Sequence, residues 1–110
     1  MATVFVTQEN PRFDLVSARE WGDLEPLSSP HDQIHINPGR MVSHVRRKLR
    51  HFNDDDWLLA MGDPAIIGIA FAIASDRNNG RINLLKWDKI ERMYYEVSIR
   101  VRGGIGDLTT

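Results

Sequence analysis

The chain contains no cysteine. Disulfide staples, thiolate zinc sites, iron–sulfur clusters and a cysteine nucleophile are therefore excluded from its chemistry. A charge excess is missing as well: 14 Lys and Arg stand against 15 Asp and Glu, for a formal net charge of -1. No global field draws such a molecule onto nucleic acid or an anionic membrane, so any attraction of that kind has to be local. No apolar run reaches the ~18–20 residues of a membrane span, and the N-terminus lacks the basic start and apolar stretch of a secretory signal. Glycine and proline are scarce, at 8 and 5, which argues against a collagenous or wholly disordered chain. What is there is a chain of 110 residues, 42% hydrophobic and 26% charged. That is the size of one domain, able to bury roughly two-thirds of its unfolded surface without a metal or disulfide staple. A soluble, cytoplasmic protein is the expectation.

Neither an internal repeat nor a linker divides the chain, so residues 1–102 are expected to form one α/β domain. Residues 103–110, which begin Gly103-Gly104-Ile105-Gly106, read as a loose tail because glycine adds backbone entropy that few side chains there offset. Residues 3–7, Thr-Val-Phe-Val-Thr, are β-branched and aromatic and predict a strand. Ser17 and Glu20 have the spacing of a capping box for a short helix ending near Gly22, and residues 24–27 predict an edge strand because Pro26 cannot donate to a central ladder. Asn37-Pro38 has the form of an N-cap followed by proline at the first helical position. From there Met41, Val42, Val45, Leu49 and Phe52 recur every three or four residues, predicting an amphipathic helix over 38–52 with its apolar stripe toward the core.

Residues 57–61, Trp-Leu-Leu-Ala-Met, form a short continuous apolar run and predict a central strand covered on both faces. Gly62, Asp63 and Pro64 supply a turn, an N-cap and a first helical residue for a second helix over 64–77, stopped by Asn78-Asn79-Gly80. Residues 81–87 predict the next strand and 88–91 a turn. Residues 92–101 predict a last strand with Tyr95, Val97, Ile99 and Val101 on one face and Glu96, Ser98, Arg100 and Arg102 on the other. Strand, helix and strand with short connections require parallel pairing and a right-handed crossover, to which the last strand adds an antiparallel hairpin. The expected architecture is thus a mixed, mainly parallel sheet with two main helices.

The segment Trp57-Leu58-Leu59-Ala60-Met61-Gly62-Asp63-Pro64-Ala65-Ile66-Ile67-Gly68-Ile69-Ala70, continued by Gly80-Arg81-Ile82-Asn83-Leu84-Leu85-Lys86-Trp87-Asp88 and Tyr94-Tyr95, resembles small uncharacterised proteins encoded by tailed bacteriophages. The resemblance covers about half the chain, residues 55–101. It implies a phage setting and the cytoplasm of a host cell, and it brings no catalytic residues.

Several groupings of residues invite chemistry. Between Gln33 and Asn53 there is no acidic residue, whereas Arg40, Arg46, Arg47, Lys48 and Arg50 stand there with His44 and His51. These cations could track the phosphates of a nucleic acid. They are equally what a solvated helix end carries, with Asp54, Asp55 and Asp56 as adjacent counter-charges. The acidic triplet with Asp63 would suit Mg²⁺ and a small metal-dependent hydrolase. The central strand separates the two, however, and Asp63 already serves as a cap. Gly62-Asp63-Pro64 lies where open α/β sheets bind ligands, but it lacks the glycine spacing of a phosphate loop and sets a carboxylate where an anion would sit. His31 and His35 are four apart in a segment read as loop, and no serine sits in a nucleophile elbow.

The second helix has a different character. Over 65–74 it is apolar on every side, so it must be covered on every side. Either the N-terminal segment supplies that cover within one chain, or a strip is left for a partner; on the second reading the expectation is a non-catalytic protein, without metal or cofactor, that binds another protein or a second copy of itself through Ile67, Gly68, Phe71 and Ala72. Nucleic-acid binding by Arg46, Arg47, Lys48 and Arg50 is the alternative.

Overall fold

The computed structural model describes residues 2–33 and 36–102. Five strands form one sheet in the order β2-β1-β3-β4-β5. β1 (Thr3–Val6) pairs in parallel with β2 (Asp23–Pro26) on one side and with β3 (Trp57–Leu59) on the other, and β3 pairs in parallel with β4 (Arg81–Asp88). β5 (Met93–Arg100) returns antiparallel to β4 in a register that runs from Arg81 opposite Arg100 to Asp88 opposite Met93. The turn between them is held by the Asp88 carboxylate, which accepts from the backbone N–H groups of Ile90 and Glu91. The mixed α/β sheet is the one expected, with β3 at its centre and the proline-ended β2 at one edge.

Two helices, α1 (Pro38–Lys48) and α2 (Pro64–Arg77), lie on the same face of the sheet. Their starts follow directly from local chemistry. The Asn37 side chain accepts from Arg40 N at 3.1 Å and that of Asp63 from Ala65 N at 2.8 Å, and in both cases proline occupies a position where its missing N–H costs nothing. Under the helices, Phe5, Leu58 and Ile82 from three strands meet Val45, Leu49, Phe52, Ala70, Ile73 and Ala74. The opposite face is covered by a short 3-10 helix, Val16–Glu20, and by aromatic side chains. There Val4, Val6, Leu59, Met61 and Leu85 pack with Ala18, Tyr94, Trp21, Trp57 and Trp87.

Three local expectations are corrected. The 3-10 helix is not started by a Ser17–Glu20 capping box: Asp14 holds it, its carboxylate accepting from Val16 N at 3.0 Å and from the Ser17 hydroxyl at 2.9 Å. Ser17 thus lies inside the helix, where its own side chain cannot serve as the cap. α1 ends at Lys48 and not near Phe52. Beyond it Phe52 N bonds Leu49 O in a tight turn, which swings Phe52 against the Phe5 ring at a centroid distance of 5.9 Å and keeps the apolar stripe buried without a further helical turn. The central ladder covers Trp57–Leu59 alone. Met61 is buried as expected, but its N–H bonds the Thr7 side chain at 2.7 Å, and its carbonyl accepts from the same hydroxyl. The tail residues 103–110 and His35, one of the two spaced histidines, lie outside the described residues.

Candidate functional site

The first surface is the outer side of α2. Ile66, Ala70, Ile73 and Ala74 face inward and are buried, as a helix laid on a sheet requires. The other residues of the apolar run are not all covered. Ala65, Gly68 and Ala72 are exposed, and Ile67, Ile69 and Phe71 are half-buried, with Ile69 and Phe71 packed on the core below. Of the four residues expected to bind protein, Gly68 and Ala72 therefore reach the surface on successive turns, while Ile67 and Phe71 offer part of their area. A side chain at Gly68 would point into open space, with no atom within 4 Å of its Cβ.

Past α2 the same face continues onto β5. Tyr95, Val97 and Ile99 stand directly opposite Lys86, Leu84 and Ile82 of β4, and cross-strand partners share a face. Among the described residues no helix covers this outer strip: Tyr95 is 41% exposed and Met93 55%. The apolar row of β5 anticipated from the alternation is thus present and open, whereas the charged row shares its face with the buried Tyr94.

The second surface follows α1. A cleft of about 490 Å³ is lined by His44, Arg47, Lys48, Arg50 and His51, with Glu25 and Asp56 also on its walls. A neighbouring hollow of about 580 Å³ shares His44 and Arg47 and adds Arg40. Three of the four expected phosphate-binding residues, Arg47, Lys48 and Arg50, therefore line one cleft, and Arg46 is exposed outside it. Lys48 is paired with Glu25, whereas among the described residues Arg40, Arg46, Arg47 and Arg50 have no carboxylate within 4.0 Å. The acidic triplet does not supply their counter-charge. Asp54 binds Arg81 at 3.2 Å and Asn78 at 2.8 Å, and the buried Asp56 accepts from Thr3 N and Asn53 N. Sequence inspection missed Glu25 because the contact joins residues far apart in the chain, and only its alternation onto the helix face of the edge strand foreshadowed it.

The crevice at the carboxyl ends of β1 and β3, where the strand order reverses, is occupied by the chain itself. Gln8 accepts from Asp63 N at 2.7 Å and donates to Ser29 O and Asp32 O at 3.1 and 3.2 Å. Gly62 adopts φ +93, and a Cβ there would collide with Gln8 at 2.4 Å, so glycine admits the plug. Asp63 capping α2 and the Gln8 side chain thus fill the position where a nucleotide would sit, and the Asp63 carboxylate places a negative charge there. Among the described residues there is no group of three or more His, Asp or Glu side chains suited to a metal ion, and no helix is long and apolar enough to cross a membrane.

On the opposite face, the Tyr94 hydroxyl donates to Asp14 O at 2.6 Å, and its ring packs edge-on against Trp87 and Trp21 at centroid distances of 4.9 and 6.3 Å. Burial, followed by the nearby Asp14 charge, raises the Tyr94 phenol above its ordinary value of 10.0. The role is structural: it ties the last strand to the segment before the 3-10 helix.

Compared with known proteins, residues 2–101 match a family model described as Phage Pam3 gp32-like protein. No curated protein and no solved structure gives a significant match.

Proposed function

The chain belongs to the Phage Pam3 gp32-like protein family, and from that membership we propose that it is a phage accessory protein acting in the host cytoplasm, without catalysis, by binding protein through the outer side of α2. The observation that carries this is the exposure of Ala65, Gly68 and Ala72 on a helix with no polar side, beside half-buried Ile67 and Phe71. Burying such a strip gains roughly 25 cal/mol per Å² of apolar area removed from water, and small residues let a partner's backbone come close. The carboxylates that might have served catalysis are engaged in holding the fold, Asp63 as a cap and Asp56 in the loop before β3.

Gly68→Arg tests the proposal, because the added side chain enters open space and leaves the core untouched. Tagged wild-type and variant chains are recovered from phage-infected cells and the retained proteins identified. Retention of the same protein by the wild type and its loss in a folded Gly68→Arg chain is the expected result. Equal retention by both removes the proposal.

A second reading rests on Arg40, Arg47 and Arg50 along the α1 clefts, which have no carboxylate within 4.0 Å among the described residues. It makes the protein a nucleic-acid binder that contacts phosphates, with affinity falling steeply as salt rises. Gel-shift titration at low ionic strength checks it: an Arg47→Glu, Arg50→Glu chain should lose binding, and the absence of any wild-type shift eliminates this reading.

A further inference from the structure

We infer that the partner includes a second copy of this chain, joined edge to edge through β5 in one antiparallel register; this rests on the protein-binding reading above. The two outer edges of the sheet differ. β2 is four residues long, ends in Pro26 and carries Asp23 and Glu25, all features that discourage pairing. β5 is eight residues long, has no proline, and keeps an unbroken register with β4, so no bulge turns its edge away.

The register with β4 fixes which backbone groups are free. Val101 N donates to Gly80 O, and in an antiparallel ladder such bonded pairs recur every second residue. Residues 93, 95, 97 and 99 therefore turn their N–H and C=O toward β4, and Tyr94, Glu96, Ser98 and Arg100 turn theirs outward. The close Trp87–Tyr94 ring contact agrees, since opposed side chains come nearer in the non-bonded pairs.

A two-fold axis through this edge must place outward residues opposite outward residues, so it is centred on a residue and not between two. Centring on residue 96 opposes Glu96 to Glu96, and centring on residue 100 opposes Arg100 to Arg100, both repulsive. Centring on Ser98 sets Glu96 of each copy opposite Arg100 of the other, so the acid of that row meets a base twice, while Arg102, the other base of the row, already faces Asp76 at 4.0 Å. Arg100 has no carboxylate within 4.0 Å in the single chain among the described residues. On the other face the same register sets Val97 opposite Ile99, twice, and Tyr95 opposite Val101, covering side chains that are 41% and 56% exposed in the isolated chain. Centring on Val97 would oppose Glu96 to Ser98 and leave Arg100 without an acid, and centring on Ile99 would oppose Glu96 to Arg102, which lies past the end of β5 and already faces Asp76; charge and apolar pairing therefore favour the Ser98 register, which makes a continuous ten-stranded sheet from two five-stranded ones.

The test is the mass of the full chain by size-exclusion chromatography with light scattering over a range of concentrations. Twice 12.6 kDa is expected for the wild type. Ser98→Pro removes an outward N–H at the two-fold axis and spares the β4 ladder, so it should give the single-chain mass with an unchanged circular dichroism spectrum. Glu96→Arg or Arg100→Glu alone should weaken association by about tenfold or more, and the two together should restore it. A wild type that stays monomeric throughout, a dimer indifferent to Ser98→Pro, or a double reversal that fails to restore pairing overturns the inference. Gly68→Arg separates the two ideas: a dimer split by that change but not by Ser98→Pro refutes β5 pairing while leaving α2 as a protein-binding face.

Discussion

At the residue scale, this fold is held by polar side chains that stand in for missing ladder bonds. Thr7 is fully buried, and its hydroxyl both accepts from Met61 N and donates to Met61 O. Thr7→Val keeps the shape but leaves two buried backbone groups unpaired, and a loss of about 1–3 kcal/mol in urea unfolding is expected. Tyr94 makes a prediction about pH. Its pKa is raised in the folded state by burial and then by Asp14. The folded chain therefore keeps the phenolic proton that the unfolded chain gives up, and this contribution to stability is complete below pH 10 and declines as pH rises beyond it. Denaturant titrations at pH 9 and pH 11 should show the decline in the wild type and a smaller one in Tyr94→Phe. The variant is also expected to lose about 0.5–1.5 kcal/mol at neutral pH with the bond to Asp14 O.

At the scale of elements, what could be read from the sequence was whatever neighbouring residues decide among themselves. Asn37-Pro38 and Asp63-Pro64 announced both helix starts because cap and proline act within one turn. The edge position of β2 was legible in Pro26, and the hairpin in residues 88–91. What required the folded chain was choice between distant partners. Ser17 and Glu20 had the spacing of a cap, but Asp14 was placed to form an Asx turn first. Gln8 gave no signal, since its carbonyl and amide are satisfied only when residues 29, 32 and 63 converge on it. Among the site residues, an all-apolar helix needing cover on every side was legible at 65–74, but whether the chain itself would cover Gly68 and Ala72 was not, and the open row on β5 was legible as alternation but not as exposure. α2 also carries an energetic prediction. Gly68 lies mid-helix with ordinary φ and free space around it, so Gly68→Ala should raise stability by roughly 0.5–1 kcal/mol, measured as a higher Tm.

At the scale of the whole molecule, the sheet separates two kinds of packing. One face is covered by α1 and α2 over an aliphatic and phenylalanine core, the other by a five-residue 3-10 helix over rings. The helical face carries the open strip of α2 and β5 and the basic clefts of α1, so both proposed binding surfaces lie on or beside it. All three tryptophans, Trp21, Trp57 and Trp87, belong to the opposite layer. Indole emission consequently reports on that layer alone, whereas far-ultraviolet ellipticity is dominated by the two helices. Following both signals through one denaturation should yield superimposable curves if the layers melt as a unit. A fluorescence change that runs ahead of ellipticity would mean that the thin aromatic blanket peels away while the helical side still stands, giving the chain an optical gauge of its own two-sidedness without any attached dye.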